Sequence, residues 1–202
     1  MSPITELIGG AKAYGWNNYF LSVPGDYESI ATVSVGSGGV STANFTSIPS
    51  TYKHLQIRGI ARSSDTGSGA ASIAMRFNSD TGTNYNFHYF AGRNGLAFAA
   101  GQTFIYTEGY FGVMPSNGHP ANTFSSFVVD ILDYTNTNKL TTIRCLSGFT
   151  ANGTGTEPDQ VQFMSSLWNS TSAITSISIL RPGGSNLMEY SHMALYGIKG
   201  AA

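Results

Sequence analysis

Read for alternation, the chain breaks into short segments in which every second residue is apolar, separated by clusters of Gly, Asn, Asp and Ser. The clearest is Ala71–Phe77, where Ile73, Met75 and Phe77 fall on one side and Ser72, Ala74 and Arg76 on the other. A period of two places successive side chains on opposite faces of a strand, so the first set predicts a core face and the second a solvent face. Lys53–Arg62 repeats the pattern, with Leu55 and Ile57 opposed to His54, Gln56 and Arg58. Glu28–Val35 and Val40–Phe45 flank Gly36-Ser37-Gly38-Gly39 and predict a hairpin with a glycine turn. The stretch Phe127–Leu146, apolar, then Thr-Asn-Thr-Asn at 135–138, then rich in β-branched residues, predicts a hairpin with a four-residue connection. Further strands are predicted at Tyr85–Phe90, near 103–113, and at Val161–Trp168, Ala173–Leu180 and His192–Lys199, with a loop over Met114–Asn122.

That makes about ten strands and no stretch with a sustained helical period. The predicted fold is all-β: an antiparallel two-sheet sandwich, jelly-roll-like, over residues 26–202, with 1–25 as an N-terminal arm. The arm holds Tyr14, Trp16, Tyr19 and Phe20 with weak periodicity. Aromatics in a terminal segment need something to cover them, which makes these four candidates for an attachment or subunit contact.

Composition narrows the function. Of 202 residues only 10% are charged, and the net charge is −1. A typical domain carries about 25% charge, and nucleic-acid binding calls for a basic patch that this sequence does not show. No nucleic-acid partner is expected. No apolar run approaches the roughly 20 residues of a membrane span, and the first residues lack the basic start and apolar core of a signal peptide, so synthesis in a cytoplasm is expected. The single Cys145 lies in an apolar run and reads as a small buried hydrophobe.

Tests for chemistry return little. His54, His88, His119 and His192 have no ligand spacing. Asp130 and Asp133, three apart in a predicted strand, point to opposite faces, a poor arrangement for a glycosidase pair; Asp130 is expected to meet a turn or an Arg such as Arg144. Asn152, Glu157 and Asp159 form a weak calcium-loop candidate with no EF-hand spacing. No nucleotide-binding or hydrolase motif occurs. No catalytic residue, metal or cofactor is assigned. Tyr85, Tyr89, Tyr106 and Tyr110 fit a subunit interface, where Tyr and Phe are enriched, or alternatively a glycan-stacking groove, or simple core.

Four segments carry a resemblance: FTSIPSTYKHLQIRGIARSS at 45–64, VDILDYTNTNKLTTIRCLSG at 129–148, WNSTSAITSISIL at 168–180 and MALYGIKG at 193–200. Their SIP-x-TY-x-HL, DY and LYGI elements resemble a group of tailed-bacteriophage virion proteins, over about residues 27–200. The resemblance implies a β-sandwich on the outside of a virion, homo-oligomeric and expected to be a trimer, with phage capsid or tail proteins as partners. A capsid decoration, cement or head-fibre protein is the leading expectation. A tail fibre or tail-tip protein touching the host is the second, and a carbohydrate-binding module contacting host surface glycan is the alternative of another class. The group has no catalytic motif to carry across.

Overall fold

The computed structural model describes residues 6–7, 11–12, 26–67, 69–151 and 159–200. Glu6–Leu7 (β1) and Ala11–Lys12 (β2) form a small antiparallel ladder. The rest of the described chain is twelve strands in two antiparallel sheets, with no helix among the described residues.

The strands are β3 (Tyr27–Ser34), β4 (Thr42–Phe45), β5 (His54–Ala61), β6 (Ala70–Phe77), β7 (Tyr85–Arg93) and β8 (Leu96–Tyr106). They continue with β9 (Gly109–Pro115), β10 (Ser125–Ile131), β11 (Thr141–Phe149), β12 (Gln160–Trp168), β13 (Ile177–Leu180) and β14 (His192–Ile198). One sheet has the order β3-β14-β5-β10-β11-β12-β7-β8, the other β4-β13-β6-β9.

Four ladders are nested: β3 with β14, β4 with β13, β5 with β10, and β6 with β9. The chain is thus one long hairpin rolled so that successive pairs fall alternately into the two sheets, which is the jelly-roll arrangement. Two extra hairpins are spliced into it. The ladder of β7 and β8 sits at the apex between β6 and β9, and β11 with β12 sits between β10 and β13. Both extend the larger sheet, which accounts for eight strands against four.

Alternation supplies the core. Phe127, Val129 and Ile131 of β10, Ile143 and Cys145 of β11, Leu55 and Ile57 of β5, and Met193 and Leu195 of β14 face the smaller sheet. From that sheet Phe45, Ile73, Met75, Phe77, Phe111 and Ile179 meet them. The rings of Phe77 and Trp168 lie 5.3 Å apart, and those of Phe111 and Phe127 5.3 Å apart edge to face, geometries that add to simple area burial. Cys145 is buried as expected, and desolvation pushes its thiol far above the ordinary range.

The structure corrects several sequence expectations. β3 and β4 do not pair with each other; the Gly36–Gly39 segment carries the chain from one sheet to the other. Positive φ at Gly38 and Gly39, and a Cβ position at Gly39 only 2.6 Å from the Leu187 carbonyl, explain the glycines there. The β10–β11 connection runs from 132 to 140, because the ladder stops at Ile131–Ile143 and Asp133 turns the chain with φ of 51°. The strand expected near 103–113 is two strands, divided at Thr107-Glu108. Ala173–Leu180 shortens to the four residues of β13. Ala74, expected to face solvent, is buried as well, although Ile73, Met75 and Phe77 keep the inward alternation of β6; beside it the β6–β9 ladder shifts register, with Phe111 of β9 left over.

The free edge of β9 would leave backbone groups unpaired, and side chains from the larger sheet close it. The Val113 amide donates to Ser147 Oγ at 3.3 Å, and the Ser166 hydroxyl donates to the Tyr110 carbonyl. This close approach needs Gly112, whose Cβ position would overlap the Ser147 side chain, with its Cβ only 2.7 Å away. Gly112→Ala is expected to lower stability by about 1–3 kcal/mol through overpacking, measured by urea unfolding, and Gly112→Ala/Ser147→Gly to recover part of that loss.

Candidate functional site

Three features merit a functional reading: one end of the sandwich where the short motifs meet, an aromatic cluster on the β7–β8 hairpin, and the outer face of the eight-stranded sheet.

The motifs SIP-x-TY-x-HL (47–55), DY (133–134) and LYGI (195–198) converge. The Tyr134 hydroxyl donates to the Pro49 carbonyl. The Tyr52 ring lies on Gly197, where any Cβ would overlap it, and its hydroxyl donates to Glu28 Oε2 at 2.9 Å. Lys199 Nζ reaches the other oxygen of Glu28 at 2.9 Å. Lys53 Nζ lies 3.0 Å from Asp133 Oδ1, Lys139 Nζ bonds Asp133 Oδ2, and the Asp133 amide donates to His54 Nδ1 at 2.9 Å. The lysine hydrogen bonds, Lys139 foremost and then Lys53, pull the Asp133 carboxyl down to about 2. These residues tie the 46–53 connection, the 132–140 connection and β14 together. Both carboxylates are held by lysines, Asp133 by two and Glu28 by one, so the cluster is a fastening. Asp130 and Asp133 are not on one strand: Asp130 lies in β10 across the ladder from Arg144, but the partner it bonds is neither a turn nor an arginine, since it accepts a hydrogen bond from Gln56 Nε2 of β5 at 2.7 Å.

A second fastening was not legible in sequence. Arg62 is buried, and its guanidinium donates to the carbonyls of Pro120 (2.7 Å), His119 (2.8 Å), Thr123 (2.9 Å) and Asn117 (3.3 Å). One planar fork organises the whole 116–124 connection, and burial lowers the pKa of the guanidinium.

The four tyrosines separate. Tyr85 is fully buried beside Trp168 and receives the Phe77 amide at 3.1 Å; it faces neither a partner nor a glycan. Tyr89, Tyr106 and Tyr110 do gather, around Phe87, with Tyr106 and Tyr110 at 4.9 Å and Phe87 at 5.3 and 5.1 Å from them. Phe98 closes on Tyr89 at 6.0 Å. These rings cover one another's faces, whereas a sugar platform needs a free face. Tyr14, Trp16, Tyr19 and Phe20 lie outside the described residues, as do Asn152 and Glu157 of the calcium-loop candidate; Asp159 accepts a hydrogen bond from the Ala151 amide. Among the described residues no three His, Cys, Asp or Glu gather as a metal site needs.

The outer face of the larger sheet is different in kind. Val128, Leu146, Phe163 and Phe90 are successive cross-strand partners on β10, β11, β12 and β7. They form one row across four strands, and with Val161 they are between 37% and 59% exposed. On β8 the row continues in Ala99, the ladder partner of Phe90. An open groove of about 910 Å³ runs beside the row, lined by Leu96, Phe124, Val128, Leu146 and Val161. β12 is turned inside out: Gln160 and Gln162 face inward at 7% and 3% exposure, while Val161 and Phe163 face solvent. Its register is set at the far end, where Met164 and Trp168 are buried and Ser166 seals β9. The signal was present, since β10 reads Phe127-Val128-Val129 and is apolar on both faces.

The fold and these surfaces define an all-β jelly-roll sandwich with an uncovered apolar sheet face. Comparison with family models, curated proteins and solved structures finds no match for the chain.

Two fastenings generate measurable expectations. The Asp133 carboxyl titrates lower in the folded protein than unfolded, so its stabilisation is complete above about pH 4 and is lost as pH falls toward 2. Asp133→Asn, which keeps the turn geometry, is expected to be less stable than wild type at neutral pH, with the difference closing between pH 4 and pH 2 in thermal melts. Arg62→Ala leaves four carbonyls without their donor and is expected to cost about 2–4 kcal/mol, read by chemical denaturation.

Proposed function

We propose that this chain is a non-enzymatic structural protein of a tailed-bacteriophage virion, a homo-oligomeric decoration, cement or head-fibre protein on the capsid. The observation that carries the reading is β12, which buries glutamines and presents Val161 and Phe163 outward. An isolated domain gains nothing by that inversion; a subunit that is covered in an assembly does. The jelly roll is a common capsid architecture, and the segment resemblances point to virion proteins of tailed phages. Low charge suits a permanent, salt-insensitive contact. Cementing demands contact area, about 800 Å² per partner, and no chemistry.

The arm supplies the attachment, with Tyr14, Trp16, Tyr19 and Phe20 as contacts. The nested ladders begin at Tyr27, so deleting residues 1–25 removes none of their strands. The truncated protein is expected to keep the wild-type β circular dichroism spectrum and cooperative melt while no longer co-sedimenting with capsids. Capsids stripped of the full-length protein are expected to lose heat resistance. Truncated protein that still decorates particles overturns the arm as the attachment, and purified virions lacking the chain altogether overturn the virion role.

A further inference from the structure

We infer that the outer face of the eight-stranded sheet is a self-complementary surface that pairs with the same face of a second copy of this chain. The inference rests on reading that face as covered in an assembly, and it replaces the threefold expectation with a twofold contact.

The central strands of the eight are β10 and β11. A twofold axis lying in the interface, parallel to the strands and midway between these two, lays β10 of each copy over β11 of the other. The outward rows then meet in register. Asp130 and Arg144 are direct ladder partners, so each copy's Asp130 falls against the other's Arg144, twice per dimer. Arg144 is exposed, and among the described residues it has neither a hydrogen-bond nor an ion-pair partner. In the next row Val128 meets Leu146, and one step outward Phe163 meets Arg58, whose guanidinium already lies over the Tyr27 ring at 5.6 Å. Phe90 meets Ala194, and Val161 meets Ile60. Val128, Leu146, Phe90 and Val161 oppose apolar residues, the Asp130 and Arg144 charges oppose their opposites, and Phe163 offers its ring to the Arg58 guanidinium as a cation–π partner. That is the condition an isologous contact must satisfy, because one patch serves both partners.

The size is adequate. Eight strands at about 4.8 Å spacing, with about seven residues each at about 3.3 Å, give a face of roughly 38 by 23 Å, matching the approximately 800 Å² per partner of a stable interface. Face-to-face sheets pack about 30° from alignment, which preserves the register near the axis, where Asp130, Arg144, Val128 and Leu146 lie.

The test is sedimentation equilibrium of the full chain at micromolar concentration. Wild type is expected to run as a dimer. Arg144→Asp and Asp130→Arg each place like charges across the axis, and each is expected to weaken dimerisation at least about tenfold. An equimolar mixture of the two variants restores both contacts between unlike copies and is expected to run as a dimer, a result that a merely destabilised fold cannot produce. Leu146→Asp, on the same face, is expected to be monomeric, and Tyr190→Asp, outside the sheet, dimeric. A monomeric or trimeric wild type, single variants that stay dimeric, or a mixture that stays monomeric overturns the inference. A monomer that still binds capsids sinks this pairing and leaves the virion role standing; a dimer absent from virions does the reverse.

Discussion

The structure depends on nested pairing. β14 lies between β3 and β5, and β13 lies between β4 and β6. The interior of each sheet is therefore completed by strands from the end of the chain. Met193 and Leu195 of β14 are fully buried, in contact with residues that precede them by more than a hundred positions. Neither sheet can present a continuous apolar face until these strands dock, so closure entropy is spent before most of the burial is gained. Such topologies fold slowly for their size. The two spliced hairpins, β7–β8 and β11–β12, are local ladders and add strands without disturbing the nest.

That asymmetry sets the chemistry of the surfaces. A four-stranded sheet cannot cover eight strands. β9 lies against β10, β11, β12 and β7 of the larger sheet, and its unpaired edge must be satisfied from there. Ser147 and Ser166 do so by hydroxyl bonds to β9 backbone. Ser166 on the inner face of β12 meets that demand, Gln160 and Gln162 are buried on the same face, and the period of two sends Val161 and Phe163 outward. The edge of β9 does not require the exposed apolar row, since Ser or Thr would satisfy a solvent face equally well.

Much of the architecture was legible. Alternation located β5, β6, β12 and β14 to within a residue or two, placed β10 and β11 with the connection between them too short, and the absence of a helical period gave the class. Partnership was not legible: Gly36–Gly39 reads locally as a hairpin turn, and only the distant β13 and β14 reveal it as a crossing between sheets. Alternation also fails where both faces are apolar or where packing inverts polarity, which is why Gln160 and Gln162 gave no hint of burial. Tyr85 and Tyr89 look alike in sequence and differ in fate, because Tyr85 sits over the shared core beside Trp168 while Tyr89 stands farther along β7. Arg62 was silent for a simpler reason: its partners are carbonyl oxygens, which every residue possesses.

The three short motifs show what kind of information such a sequence carries. Tyr134 holds Pro49, Asp133 holds Lys53, and Tyr52 packs on Gly197. Each contact joins segments separated by roughly eighty residues or more, and each fixes where a strand begins or ends. Register is what such contacts guard, because a shift of one residue exchanges the inward and outward sets of the whole strand. Sequence likeness concentrated in these residues therefore transmits the sandwich and leaves the partner open. Arg144, Leu146, Val161 and Phe163 stand exposed on the outer face, so the fold constrains them less than the core and leaves them available for contact with a partner. An apolar row of that kind is the sort of surface a partner covers, and the opposite signs of Asp130 and Arg144, side by side across the β10–β11 ladder, are what make a second copy of the chain the occupant we propose.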